Sequence, residues 1–166
     1  MYLYRVYLGD VYTDKTEDQI KDIMVFPNIP YFLMGCEDGE TERICLSESI
    51  EGCLTSIGWN RIDIAFQDQT DEDIDCLRIV VLKFKKENLE EKYLFSPEYL
   101  TVKNCVPDAE ITKEWWYLLP VKPDEVEIKY LYGYNFGNPV PLVLPEPIRK
   151  KILIQTIKDL KWAEAY

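Results

Sequence analysis

From Tyr2 to Leu8 the chain is aromatic and β-branched, apolar but for Arg5, so it opens on a strand that Gly9-Asp10 ends. Tyr2, Tyr4, Val6 and Leu8 share one face of it, and Leu3, Arg5 and Tyr7 share the other. Thr16-Glu17-Asp18-Gln19 has capping-box spacing and predicts a short helix within Thr13 to Met24. Phe26-Pro27-Asn28-Ile29-Pro30 is held extended by its prolines. Short strands are expected at Tyr31 to Met34 and Arg43 to Leu46, on either side of the turn Glu37-Asp38-Gly39-Glu40.

The period then changes. Ile50, Cys53, Leu54 and Ile57 fall at i, i+3, i+4 and i+7, one apolar stripe of a helix that Gly58 closes. Ser47 is placed to cap it, with Glu48 and Glu51 in the positive first turn. Arg61 to Phe66 and Leu77 to Phe84 read as strands, Leu89 to Phe95 as strand or irregular chain. A turn-like lead-in at Val106 to Lys113 delivers another strand, with Glu114, Trp116 and Leu118 on one side and Trp115, Tyr117 and Leu119 on the other. Asp124 to Tyr134 alternates as a strand, with Val126, Ile128, Tyr130 and Tyr132 on one face. A turn at Gly133 to Val140 and a proline-rich lead follow. Pro147 then suits the first turn of a helix from about Ile148 to Ala163, docked by Ile148, Ile152, Ile157 and Leu160, with Leu153 and Ile154 widening the stripe.

These elements describe one α+β domain over residues 1–166, with antiparallel or mixed sheets, two to three helices and a further C-terminal helix. Four Trp and twelve Tyr supply enough large apolar surface for a folded core. The net charge of −11 argues against general binding to a phosphate backbone, which needs lysine and arginine to release counterions. It fits solubility, a basic protein partner, or imitation of nucleic-acid charge. No histidine occurs, which excludes Ser-His-Asp and Cys-His catalysis, histidine bases and most catalytic zinc sites.

Five cysteines with no CxxC pair, three of them (Cys45, Cys53 and Cys76) in or beside apolar runs, predict reduced core thiols and a cytoplasmic protein. The N-terminus lacks the pattern of a signal peptide, and no apolar run approaches the ~20 residues that cross a bilayer. Asp68, Asp71, Glu72, Asp73 and Asp75 make an acidic loop without the glycine and glutamate of a calcium loop. It is either solvated or a patch for a basic partner.

Three residues stand out chemically. Arg5, between Leu3 and Tyr7, either snorkels at a sheet rim or holds an anion. Ser47, with Ser49 close by, lies where a strand turns into a helix, an ordinary helix start or a place for a polar ligand group. Glu114, beside two tryptophans, is either a rim carboxylate paired with lysine or one whose pKa desolvation raises. Together an arginine for phosphate, a serine hydroxyl and a carboxylate to stabilise a developing oxocarbenium ion form a set that needs no imidazole.

In Leu3-Tyr4-Arg5-Val6-Tyr7, Leu46-Ser47-Glu48-Ser49 and Ile111-Thr112-Lys113-Glu114-Trp115-Trp116, the chain resembles the arginine-serine-glutamate branch of the ADP-ribosyltransferase-like fold. The resemblance covers residues 2–120, leaving 121–166 as a C-terminal strand, proline-rich lead and helix. It implies an NAD site formed by Arg5, Ser47 and Ser49, with Glu114 as the catalytic carboxylate. Glu48 departs from the usual Ser-Thr-Ser motif, and Thr112 stands where Gln or Glu is common, which argues against transfer to arginine side chains. The chain is also similar to small proteins of phages and mobile elements of Gram-positive bacteria, through Arg-Ile-Cys…Ser-Ile-Glu-Gly-Cys-Leu and Asp-Ala…Thr-x-Glu-x-Trp. That similarity implies a role in conflict between phage and host. The alternative function is a non-enzymatic acidic inhibitor, anti-CRISPR or similar, that occupies a basic nucleic-acid channel.

Overall fold

The structure is a computed structural model that describes residues 1–9, 11–30, 37–58, 61–62, 64–65, 76–132, 146–159 and 161–164. Strands β1 (Tyr2–Leu8), β2 (Ile44–Ser47), β3 (Cys76–Lys85), β4 (Leu94–Phe95), β5 (Glu114–Tyr117), β6 (Glu125–Tyr132) and β7 (Lys161–Glu164) form one sheet in the order β4-β5-β2-β1-β3-β6-β7. Every pairing is antiparallel. The helices are α1 (Glu17–Lys21), α2 (Ile50–Ile57), α3 (at 61–62 and 64–65), α4 (Pro97–Val102), α5 (Ala109–Thr112) and α6 (Glu146–Lys158). The α+β class therefore holds.

Strand alternation sorts the core into two layers. One face gathers Leu3, Ile44, Leu46, Val80, Leu82, Phe84, Trp115 and Tyr117, closed by Ile20 of α1. The other carries Val6, Leu77, Ile79, Val81 and Leu131 under α2, α3 and α6, which contribute Leu54, Ile62, Leu153 and Ile157. At the β4–β5 end Trp116 continues this second face beneath Leu100 of α4 and Ala109 of α5. β3 is a near-continuous apolar run because β1 and β6 flank it and both its faces are covered. Beyond the end of β7, Glu17 accepts from the Ile128 amide at 2.9 Å, which blocks part of the open edge of β6.

Several expectations are corrected. Residues 61–62 and 64–65 are helical rather than part of a strand. Amides of Arg61 and Ile62 both return to the Gly58 carbonyl, and Ile62 is buried while Ile64 is exposed, so the spacing there is helical. The lead-in to β5 closes into α5, and Lys113 at φ 53° turns the chain into the strand. The C-terminal helix stops at Lys158, and 161–164 return as β7, because the edge of β6 from Lys129 to Tyr132 offers a ladder. Leu153 and Ile157 dock α6, whereas Ile152 is exposed. The strand expected at Tyr31 to Met34 and the turn and lead at 133–145 lie outside the described residues. Among the described residues no helix is long and apolar enough to cross a membrane.

Candidate functional site

The site grows from two corners that interlock. β2 ends at Ser47 and α2 begins two residues later, while α5 ends at Thr112 and β5 begins at Glu114. The capping residue is Ser49, not Ser47: its hydroxyl accepts from the Gly52 amide at 3.0 Å. Ser47 is 1 % exposed and faces the other corner, donating from Oγ to the Thr112 carbonyl at 2.7 Å and accepting from the Ser49 amide. Glu48 adds two ties, from its amide to the Lys113 carbonyl and from the Trp115 indole to its carboxylate at 3.0 Å. Gly52 lies against both corners, and a Cβ there would stand 2.1 Å from Ser47 Oγ and 2.3 Å from the Thr112 oxygen. Nothing larger than glycine fits that approach.

Glu114 lies directly across the ladder from Ser47, and Tyr4 of β1 lies across from Ser47 on its other side. Opposed residues in an antiparallel pair share a face, so Tyr4, Ser47 and Glu114 form one row on the α2 side. Glu114 is 8 % exposed and accepts from the Trp116 indole at 2.9 Å, with the Ser56 hydroxyl at 3.5 Å. Burial raises its pKa above the ordinary glutamate value, and Asp108 adds to the rise. The Trp116 and Cys45 hydrogen bonds and the charge of Lys150 pull the other way. Glu37 is raised as well, first by burial and then by the charge of Glu114.

Arg5 does not join that row. It pairs with Leu82, and with Leu3 and Tyr7 it faces the α1 side. The arginine, serine and glutamate therefore occupy three adjacent strands, but Arg5 is turned to the opposite face. The register pair between β1 and β2 is Tyr4 with Ser47. The Arg5 guanidinium reaches from β1 to β2, with Nε donating to the Tyr7 hydroxyl at 2.8 Å and Nη1 to the Cys45 carbonyl at 3.4 Å. Among the described residues it has no carboxylate partner. Ser47, Ser49 and Glu114 are brought together, then, and Arg5 lies on the strand next to Ser47 but faces away from them. The acidic residues Asp68, Asp71, Glu72, Asp73 and Asp75 lie outside the described residues.

Two participants went unassigned in the sequence. Arg43 is 1 % exposed, stacks on the Trp116 ring at 3.9 Å, and donates to the carbonyls of Asp38 and Thr41. Its place at the head of a strand rich in apolar residues, opposite a tryptophan strand, was the available signal. Lys150 reaches from α6 to pair with Asp108 at the start of α5, with both side chains 12 % exposed. Lys150, one of three consecutive basic residues at 149–151, gave no such signal. Comparison with family models, with curated proteins and with solved structures finds no match.

Proposed function

We propose that the chain is an ADP-ribosyltransferase-like protein of phage or mobile-element origin that binds NAD at the junction of β1, β2 and β5. One observation carries the reading: the strand order sets β5, β2 and β1 side by side, with Ser47 directly opposite Glu114 and Arg5 on the next strand. A set scattered over more than a hundred residues of sequence is thereby gathered within two strand spacings.

The donors fit a dinucleotide phosphate. Arg5 is a partly buried cation without a carboxylate partner among the described residues, which suits an anionic group. The Ser49 hydroxyl accepts from Gly52 and keeps its proton free to donate to a ribose oxygen. Ser47, whose proton is committed to Thr112, holds the corner in shape and accepts only. Bound there, NAD would supply a glycosidic bond whose cleavage leaves positive charge on the sugar. Glu114 stabilises such charge only when ionised, and its raised pKa makes that ionisation pH-dependent. Activity therefore rises with pH as Glu114 loses its proton.

The test is nicotinamide release from NAD in the presence of host lysate. Wild type is expected to release it, Glu114→Gln to lose release while retaining NAD binding, and Arg5→Ala to bind NAD more weakly. Neither release nor calorimetric binding by the folded wild type would reject the proposal. A second reading, an acidic inhibitor of a nucleic-acid-binding defence protein, is favoured by the net charge of −11. It expects binding to a CRISPR effector that competes with DNA and weakens steeply with salt. Unchanged binding after neutralising Asp68, Asp71, Glu72, Asp73 and Asp75 together would count against it.

A further inference from the structure

The C-terminal helix lies outside the stretch that resembles a transferase, yet it reaches the site through one largely buried ion pair, both of its side chains 12 % exposed. Lys150 of α6 pairs with Asp108, and Asp108 opens α5. α5 is four residues long, ends on Thr112, and passes through Lys113 into Glu114. Its two ends thus hold opposite parts of one device. Asp108 takes the lysine, and the Thr112 carbonyl takes the Ser47 hydroxyl at 2.7 Å. So short a helix has little stability of its own and must be fixed by its contacts.

We infer that the Lys150–Asp108 pair is a positioning clamp through which α6 fixes α5 and, through it, the place of the Glu114 carboxyl. The inference rests on the proposed function for its catalytic meaning, but the clamp itself is testable without NAD. Burying two opposite charges at this depth costs desolvation that only a close partner offsets, so neither member is neutral to its surroundings.

The groups around Glu114 can be named by element. Cys45 of β2, Trp116 of β5 and Ser56 of α2 offer hydrogen bonds. Asp108 of α5 contributes negative charge and Lys150 of α6 positive charge. In the loop before β2, Glu37 feels the charges of Glu114, Lys150, Asp108 and Arg43. Lys150 acts from outside the 2–120 segment, on Glu114, Glu37 and Asp108 alike.

The clamp makes a prediction of sign that mere loosening does not. Lys150→Gln removes the positive charge and leaves Asp108 bare, so the Glu114 titration midpoint moves up. Asp108→Asn removes the negative charge and leaves Lys150 bare, so the midpoint moves down. The double variant returns toward wild type, and Lys150→Arg stays close to it. If α6 only covered the site, every disruptive variant would admit water and move the midpoint down toward the ordinary glutamate value. The measurement is a carbon-13 titration of the Glu114 side-chain carboxyl in the full chain, with amide spectra confirming the fold of each variant.

Shifts of opposite sign for the two single variants are the expected result. Shifts of the same sign, or none in folded variants, would overturn the inference. Nicotinamide release supplies the second arm, with kcat following the Glu114 midpoint while KM for NAD stays level. Opposite shifts without any release would leave the clamp standing and reject the transferase reading instead.

Discussion

Gly52→Ala puts the corner-to-corner interlock to a direct test. In an exposed helix interior this substitution stabilises by about 1 kcal/mol, because alanine is the better helix former. In α2 the added Cβ would fall 2.1 Å from Ser47 Oγ and 2.3 Å from the Thr112 carbonyl oxygen. The serine could rotate away, but the carbonyl is backbone at the end of α5 and cannot swing aside alone. Relief requires Ser47 to rotate away, which breaks the Ser47–Thr112 bond, and α2 to shift from the end of α5. Overpacking of this kind costs about 1–3 kcal/mol, and a buried carbonyl left without its donor costs about 1–3 kcal/mol more. After the helix gain is subtracted, the net loss is about 1–5 kcal/mol. Urea unfolding read by tryptophan emission suits the assay, since Trp115 and Trp116 flank the corner. Ser47→Ala/Gly52→Ala is expected to remain destabilised, because the Thr112 oxygen is still in the way. A Gly52→Ala protein as stable as wild type, or more so, would refute the interlock.

Other expectations follow from the same contacts. Ser49→Ala removes the α2 cap and should cost about 1 kcal/mol in urea unfolding, whereas Ser49→Asp should cost little. Arg43→Met leaves the Asp38 and Thr41 carbonyls without their donor and should cost about 2–3 kcal/mol, with the emission of stacked Trp116 changed as well. Glu114 and Glu37 both have folded pKa values above the ordinary glutamate range. The folded state then holds more protons than the unfolded chain as pH rises from that range, so stability falls with rising pH across the window. Glu114→Gln should flatten that fall while keeping an oxygen for the Trp116 indole, and an unchanged slope by unfolding at several pH values would contradict the assignment.

The local signals that survived folding were those written in adjacent residues. The aromatic and β-branched run of β1, the capping box at Thr16 and the stripe of α2 were legible because each is a property of a few neighbours. Where tertiary contacts decide, the reading failed. Residues 61–65 alternate apolar and polar in part, yet the Gly58 carbonyl and the α2–α6 core select a helical turn there. Helix-forming residues near 161–164 became strand because β6 had an edge to fill.

The site shows the same division. Ser47 and Glu114 could be paired from their motifs, and the ladder does set them opposite one another. Arg5 was chosen by residue type and strand, but period-two alternation makes its face depend on register, and one residue separates it from Tyr4 in the shared row. Arg43 and Lys150 matter through packing across the fold, which no local pattern encodes.

The account turns on whether one ligand bridges three strands. Amide chemical-shift mapping of the nitrogen-15 labelled chain during an NAD titration tests this most directly. Saturable shifts confined to Arg5 to Tyr7, Cys45 to Ser49 and the residues around Glu114, weakened in Arg5→Ala, are the expected result. Shifts that are absent, or that map to surfaces away from β1, β2 and β5, would contradict it.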